Sequence, residues 1–321
     1  MTGLVDAVAA AGDRLAAASD GRIAFDARSA LSRHEDLALG EPGLWSPNRH
    51  SRLVACRNGW IAVSLARDED YDLVPAWTGA SFDADRWDAV IAAAADRDAD
   101  DMTAAAIALH LPVAVVGEAS PLACRPLRGG QHKDGVIVDL SALWAGPYCG
   151  ALLAEAGHRV IKIESAARPD PTLRHTPALD TRLNSAKQRL TMALDDPELL
   201  AMIAGARALI TSGRPHALAR TGLDEDRLFA LNPDLLWIGI TAHGWYGAPA
   251  MRIGFGDDCA AAGGLVRWQD GAPQFMGDAL ADPLTGLTAA THALEAMAKG
   301  EGGLLDIPLA GTAAYFAEML A

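Results

Sequence analysis

The sequence predicts an α/β protein in which a large domain with a parallel sheet follows a smaller α+β domain. From residue 135 onward, apolar runs alternate with helical patterns, which is typical of a parallel sheet covered by helices. Earlier in the chain, Asn58 and Gly59 separate two short apolar runs, as in a β-hairpin. A chain of 321 residues, half of them hydrophobic, has room for about two packed domains. We therefore expect an N-terminal helical segment, a small α+β domain, a linker and a large Rossmann-like domain, at residues 1–40, 41–125, 126–134 and 135–321.

In the small domain, short apolar runs predict strands and helical periodicity predicts helices. The predicted strands are 53–56, 60–65 and 111–116, and the predicted helices are 69–77, 86–95 and 101–109. The stretch that follows, 125–134, is polar and rich in turn-forming residues. Such a composition suits a linker between domains.

The large domain begins with a strand, a helix and a second strand, at 136–140, 147–156 and 160–163. Pro147 suits the first turn of that helix and Gly157 the position just past its end. A helix in this place connects parallel strands. The alternation continues with helices at 197–206, 224–231 and 284–298, strands at 208–211, 235–241 and 303–308, and a terminal helix. This order predicts a doubly wound sheet.

Charge and composition exclude several classes of protein. With 27 basic and 41 acidic residues, the net charge is −14, the wrong sign for a main partner that is nucleic acid or an anionic membrane. No apolar run reaches the length of about 18 residues that indicates a membrane span, and the N-terminus does not resemble a signal peptide. We therefore expect a cytoplasmic protein. The four cysteines are scattered and the histidines lack metal-ligand spacing, so we expect reduced thiols and no metal site.

Several residues are candidates for chemistry on local grounds. The turn after the first strand of the large domain holds one glycine and the bulky Trp144, which does not fit a glycine-rich dinucleotide site. Asp282 stands before Pro283 at the start of an apolar helix, either as an N-cap or as a functional carboxylate. His243 lies in a glycine-rich loop, where it lines a pocket or is a core or surface residue. Basic residues in the first half of the domain form either an anion pocket at the switch point of the sheet or solvated charges: Lys162, Arg168, Arg174, Lys187, Arg189, Arg214 and Arg220.

A series of motifs then follows in order: 139–149, 152–164, 184–187, 214–215, 220–223, 232–233, 244–249 and 277–286. Together they resemble the class III CoA-transferase family, whose members include formyl-CoA and carnitine CoA-transferases and α-methylacyl-CoA racemases. The resemblance extends over residues 135–317, and it places the catalytic aspartate of the family on Asp282.

The resemblance implies a CoA-transferase that moves CoA between an acyl-CoA donor and a carboxylic acid acceptor, with Asp282 as the covalent nucleophile. It implies that CoA contacts the turn at Leu143, Trp144 and Ala145, and that Lys187 and Arg220 contact its phosphates, with Arg168 in place of an arginine that the family carries after the second strand. Coenzyme A and acyl-CoA are then substrates, no cofactor is bound permanently, and the protein is a homodimer.

Two departures from the family pattern bear on function. The stretch 253–260 has no histidine where the racemases carry their second acid/base, which disfavours racemisation. Pieces that resemble the small domain of the family, at 45–50, 57–64 and 111–116, precede the large domain instead of following it. This order resembles a circular permutation. An acyl-CoA isomerase or racemase with another base, and a non-catalytic paralogue that binds CoA or a partner chain, are the alternative interpretations.

Overall fold

A computed structural model describes residues 2–130, 134–167 and 169–320. Its strands are β1 Ser51–Cys56, β2 Gly59–Ser64, β3 Val113–Val115, β4 Arg128–Gly129, β5 Ile137–Asp139, β6 Val160–Glu164, β7 Gln188–Thr191, β8 Ala208–Thr211, β9 Leu236–Thr241, β10 Val266–Gln269, β11 Ala272–Phe275 and β12 Glu301–Pro308. Its helices are α1 Thr2–Ala18, α2 Ala27–Ala30, α3 Asp68–Thr78, α4 Arg86–Ala95, α5 Ala99–Ala108, α6 Ala145–Glu155, α7 Thr172–His175, α8 Pro177–Asn184, α9 Pro197–Gly205, α10 Pro215–Arg220, α11 Glu225–Leu231, α12 Gly256–Ala262, α13 Ala281–Ala298 and α14 Leu309–Glu318, with a 3₁₀ turn at Ala248–Met251.

The larger sheet has the order β4-β12-β9-β8-β5-β6-β7, and every pairing in it is parallel except that of β4 with β12. Its central strands are continuous apolar runs; all six residues of β9 are buried. Strands of this kind belong between two layers of helices. The predicted α/β class with a Rossmann-like parallel sheet is confirmed.

The direction of winding reverses between β5 and β8. From β5 the chain adds β6 and β7 on one side, and it then returns to add β8, β9 and β12 on the other. The carboxyl ends of β5 and β8 therefore form the switch point, where sheets of this type bind ligands. The backbone N–H of Ala142 donates to the hydroxyl of Ser212 at 2.9 Å and connects the two loops there.

Helices cover both faces of this sheet. On one face, α1, α6, α13 and α14 share a core that includes Leu4, Leu153, Leu284 and Phe316. On the other face, α9 and α11 pack over Trp237. Helix α1 lies against α13, so the beginning of the chain contributes to the core of the large sheet. None of the helices in the described residues is long and apolar enough to span a membrane.

The smaller sheet is antiparallel, with the order β1-β2-β3. Its hairpin turns at Arg57 and Asn58, as the Asn-Gly pair predicts, and β1 and β2 pair from Ser51↔Ser64 to Cys56↔Gly59. Helices α3, α4 and α5 enclose a separate core against it. Helix α12 packs between the two sheets through Ala261, and this contact brings the site described next close to both.

The sequence pattern misses helices α7, α8, α10 and α12 and strands β4, β7, β10 and β11. Strand β7 lies at an edge and is polar and largely exposed, so it lacks an apolar run. Strand β10 is largely exposed, whereas its partner β11 buries Pro273 and Phe275. Only Asp270 and Gly271, both at positive φ, indicate the turn between them. Strand β4 falls inside the predicted linker and pairs with β12; the end of that linker, 131–133, lies outside the described residues.

Candidate active site

Asp282 lies in the first turn of α13, as the second residue of the helix. The N-cap position is Leu280, so the interpretation of Asp282 as a capping residue is wrong. The Asp282 side chain is half-buried, and in the described part of the chain no side chain donates a hydrogen bond to its carboxylate. A Cβ on Gly256 would collide with Oδ2 of Asp282 and with the carbonyl oxygen of Ala279. A glycine is therefore needed at position 256 for this carboxylate to hold its place.

Three more carboxylates lie near Asp282, those of Asp257, Asp258 and Asp278. Asp257 and Asp278 are buried and are bridged by the amide of Asn48, whose Nδ2 donates to both, at 2.8 Å to Asp257 and 2.6 Å to Asp278. Asp257 also accepts from the Ser51 hydroxyl at 3.0 Å and from the backbone N–H of Ala279 at 2.7 Å. These bonds connect the loop before β1, helix α12 and the segment before α13.

Arg33 supplies positive charge to this cluster. Its guanidinium donates to both oxygens of Asp278, at 2.6 and 3.2 Å, and lies over the Trp144 ring at 5.2 Å. Burial lowers the pKa of Arg33, but the nearby carboxylates of Asp278, Asp282 and Asp257 outweigh it, and the pKa is raised overall. The guanidinium therefore stays charged beside the cluster.

Burial raises the pKa of Asp282 to about 7; the Arg33 charge opposes this, while the neighbouring carboxylates of Asp257, Asp278 and Asp258 reinforce it. Burial likewise raises the pKa of Asp258 to about 7, against hydrogen bonds from the Phe255 N–H and the Ser64 hydroxyl. Asp282 is thus a carboxylate that exchanges its proton near neutral pH. A group tuned in this way is typical of catalytic sites.

The turn that the resemblance assigns to CoA lies next to the start of α13. Ala145 begins α6, and the carbonyl oxygen of Ala145 and the Tyr148 ring leave no space for a side chain on Gly286 of α13. Trp144 is buried and packs with Ala279. Leu143 is 42% exposed and has a φ of 67°, a conformation that costs an L-residue energy. The structure therefore brings Trp144 and Ala145 next to the segment 279–286 that carries Asp282, and it leaves Leu143 exposed in the same turn.

The structure places Lys187 elsewhere. Its side chain is 0% exposed, and Nζ donates to Asp139 at 2.8 Å, to the Pro147 carbonyl at 2.7 Å and to Asn184 at 3.0 Å. All three donors of the ammonium are therefore satisfied inside the protein. Lys162 is also buried, between the Ser141 carbonyl at 2.5 Å and Asp170 at 3.1 Å. Both lysines hold the loop after β5 and the first turn of α6.

Arg220 is exposed at the end of α10, the helix that follows β8. Burial lowers the pKa of the neighbouring His216, and the charges of Arg214, Arg220 and His110 lower it further. Positive charge therefore gathers at the β8 side of the switch point, separate from the carboxylate cluster. Arg168 lies outside the described residues.

Sequence reasoning missed Arg33, Asn48 and Asp257. Their partners are far away along the chain, 245 residues for the Arg33–Asp278 pair and 230 for the Asn48–Asp278 bond. No local spacing indicates such contacts. The one local signal is the pair Asp257-Asp258 in the stretch 253–260, two adjacent carboxylates in the position where the racemases carry a histidine.

Comparisons with known proteins match the part of the chain that carries Asp282. The model of CoA-transferase family III matches residues 133–321, more than half of the chain. The succinyl-CoA–D-citramalate CoA-transferase of Chloroflexus aurantiacus is 32% identical over 192 residues, which are 54% of this chain and 48% of that protein. The succinate–glutarate CoA-transferase of Agrobacterium fabrum is 30% identical over 197 residues, 54% of this chain and 49% of that protein.

Solved structures show the same partial likeness. A CAIB/BAIF family protein from Brucella suis superposes with a TM-score of 0.51 and 26% identity over 58% of this chain and 55% of its own. A hypothetical protein from Mycobacterium tuberculosis superposes with a TM-score of 0.51 and 25% identity, over 58% of this chain and 56% of its own. The chain thus spans about half the length of the curated relatives it matches. On the family match over residues 133–321, the chain belongs to CoA-transferase family III.

Proposed function

We propose that the protein transfers CoA from an acyl-CoA donor to a carboxylic acid acceptor, with Asp282 as the nucleophile. The observation that carries this proposal is the Asp282 carboxylate itself: half-buried, raised in pKa to about 7 and without a side-chain donor in the described residues. A carboxylate held in this way is less solvated than one on the surface, and it is therefore more nucleophilic. The names of the two curated relatives, both CoA-transferases for dicarboxylic acids, support the same reaction class.

The reaction proceeds by exchanges at carbonyl carbons. A carboxylate oxygen of Asp282 bonds to the thioester carbon, and the C–S bond breaks to give a mixed anhydride and CoA thiolate. The thiolate then attacks the aspartyl carbon and releases the donor acid, which leaves an aspartyl-CoA thioester. An acceptor carboxylate repeats the sequence in reverse and leaves with CoA. Asp282 is regenerated, and no oxidant or water is consumed.

The surroundings of Asp282 favour this sequence. The N-terminal end of α13 stabilises negative charge on its first turn, and Arg33 adds a fixed positive charge next to the cluster. Because Asp257 and Asp278 are held by Asn48 and Arg33, the cluster keeps its shape while Asp282 changes from an anion to an uncharged anhydride and then to a thioester. Fixed groups of this kind lower the barrier because they need little rearrangement during the reaction.

For CoA we propose contacts with the exposed turn at Leu143 and with Arg220, and for Arg168 the phosphate contact that the resemblance implies. Lys187 contributes as a positioning residue, because its ammonium fixes the Pro147 carbonyl in the first turn of α6. The permuted domain order, the homodimer and the cytoplasmic location stay predictions.

A transfer assay tests the function. The protein is incubated with succinyl-CoA and a panel of mono- and dicarboxylic acids, and new acyl-CoA esters are separated by chromatography. We expect at least one acid to acquire CoA. Deuterium from solvent at the α-carbon of an acyl-CoA, without CoA exchange, would indicate an isomerase or racemase instead. No transfer, together with no thermal shift on addition of CoA, would indicate a non-catalytic paralogue.

A further inference from the structure

A second cluster of reactive side chains shares Asp258 with the carboxylates near Asp282. One ligand atom each from His243, Asp258 and Cys259 lie within 4.8 Å of one another. His243 is in the loop after β9, and Asp258 and Cys259 are in the first turns of α12. The three atoms are a nitrogen, an oxygen and a sulfur, a combination that zinc prefers over magnesium or calcium.

Asp258 is held in position from behind. Its Oδ1 accepts from the Ser64 hydroxyl at 2.8 Å and from the Phe255 N–H at 2.9 Å. Its Oδ2 lies 3.8 Å from the sulfur of Cys259. The two hydrogen bonds to Oδ1 orient the carboxylate and leave Oδ2 facing Cys259. Carboxylates that bind a metal ion are oriented by hydrogen bonds in the same way.

His243 provides an independent indication of a ligand. Its Nε2 is buried and has no hydrogen-bond partner among the described residues, and a buried polar atom without a partner is rare in native proteins and costly. A neutral imidazole nitrogen is the atom through which histidine binds a metal ion.

We propose that His243, Asp258 and Cys259 form a binding site for one divalent transition-metal ion, with zinc as the preferred ion. Binding replaces the thiol proton of Cys259 and any proton on Asp258, and these are released to solvent. Thiolate, carboxylate and neutral imidazole together balance the charge of Zn²⁺. Zinc bonds of about 2.0 to 2.3 Å place ligand atoms about 3.5 Å apart, so the three atoms have to move together by about 1 Å.

The surroundings are compatible with an ion. Arg252 is a cation close to His243. Its guanidinium donates to Glu118 at 2.6 Å and to the Val113 carbonyl at 3.1 Å, so the Glu118 carboxylate balances its charge. His243 also lines a cavity of about 300 Å³ together with Asp306, so its ring borders space that water can enter. A bound ion would connect α12, which carries Gly256 and Asp257 next to Asp282, to the loop after β9.

Cobalt substitution tests this site. Protein freed of metal with a chelator is titrated with Co²⁺, whose bond to a thiolate produces a charge-transfer band in the near ultraviolet, and Zn²⁺ is then added to displace it. We expect one ion per chain and the thiolate band. Cys259→Ser should abolish the band. Loss of a residue that only supports a metal ligand lowers metal affinity by roughly 10-fold to 100-fold. Because His243 is a ligand itself, His243→Asn should weaken Zn²⁺ binding by more than that.

The matched control is Cys124→Ser. Cys124 is exposed and lies 3.9 Å from His292, so it is the rival thiol–imidazole pair, and its removal should leave the band unchanged. Circular dichroism verifies the fold of each variant. If Cys259→Ser is unfolded, the loss of metal affinity in Asp258→Asn and His243→Asn tests the site instead. Wild-type protein that binds neither ion, or a band that persists without Cys259 or disappears without Cys124, would overturn the proposal.

Discussion

Two buried clusters of charge, one around Asp139 and one around Asp282, differ in how their charges are balanced. In one, Asp139 faces the Lys187 ammonium at 2.8 Å, and although burial raises the pKa of Asp139, the Lys187 and Lys162 charges lower it overall. In the other, Asp282 is surrounded by further carboxylates and its pKa is raised to about 7. The first arrangement holds structure, and the second keeps a group reactive.

The largest expected effect comes from the reactive cluster. Asp282→Asn removes the proposed nucleophile but keeps its shape, so CoA transfer should fall by about 10⁴-fold or more. Initial rates with the best donor and acceptor measure it. Asp270→Asn, in the exposed turn between β10 and β11, is the control and should keep full activity. A substantial rate in Asp282→Asn would exclude a covalent role for this residue.

Lys187→Met changes the structural cluster and should act on stability. It leaves Asp139 buried without its main partner, which typically costs about 3 to 5 kcal/mol of unfolding free energy. Urea denaturation measures the loss. Lys299→Met, at the exposed C-terminal end of α13, should cost less than about 1 kcal/mol. If Lys187→Met is as stable as the wild type and only loses affinity for CoA, the ammonium acts on phosphates instead.

Gly256→Ala tests the close approach of α12 to Asp282. The added methyl group collides with Oδ2 of Asp282 and with backbone, so it should displace the carboxylate and lower the transfer rate by about 100-fold, the effect of a misplacement of about 1 Å. Gly205→Ala, where a Cβ meets nothing within 4 Å, is the control. Equal rates for the two variants would show that Asp282 does not need this contact.

Asn48→Ala separates the two carboxylates that Asn48 bridges. Without the amide, Asp257 and Asp278 lose a shared donor, and their repulsion should loosen the cluster and lower kcat by about tenfold, near the lower end of what a lost outer contact costs. Asn58→Ala, in the hairpin turn of the small sheet, is the control. A larger effect on KM than on kcat would place Asn48 in substrate binding.

The pH dependence should follow the ionisation of Asp282, while the neighbouring Asp258 titrates in the same range. Because attack requires the carboxylate and its pKa is about 7, the rate should rise about tenfold between pH 6 and 8 and then level off. The free energy of unfolding changes in the opposite direction. Because the pKa of Asp282 is raised in the folded state, its protonated form contributes to the stability of the folded protein at low pH, and this contribution is lost as pH rises through about 7. Asp282→Asn should therefore have a higher Tm than the wild type at pH 8 but not at pH 4. A rate that is flat from pH 6 to 8 would contradict the raised pKa.

The sequence predicts the parallel sheet well because its strands are buried on both faces. The element β5-α6-β6 follows from two apolar runs, Pro147 and Gly157, and the structure places it close to the predicted bounds. Strand β7 escapes prediction because an edge strand with polar residues has no hydrophobic pattern.

The site is predicted less completely. Asp282 is identified by the resemblance of the segment 277–286, whereas the residues that tune it, Arg33 and Asn48, come from the first 50 residues of the chain and meet it only in the folded protein. Lys187 is the opposite case, a residue that the resemblance assigns to the site but that the structure buries among other partners. A lysine in a sequence does not indicate its partner, and here the partners are Asp139, the Pro147 carbonyl and Asn184.

The covalent intermediate is the most direct test of the central claim. The protein is incubated with acyl-CoA without an acceptor, treated with hydroxylamine or borohydride and digested, and the peptides are analysed by mass spectrometry. The account predicts a hydroxamate or an alcohol on Asp282 in the wild type and none on that peptide in Asp282→Asn. An unmodified Asp282 in protein that turns over acyl-CoA, or a label on another carboxylate, would contradict it.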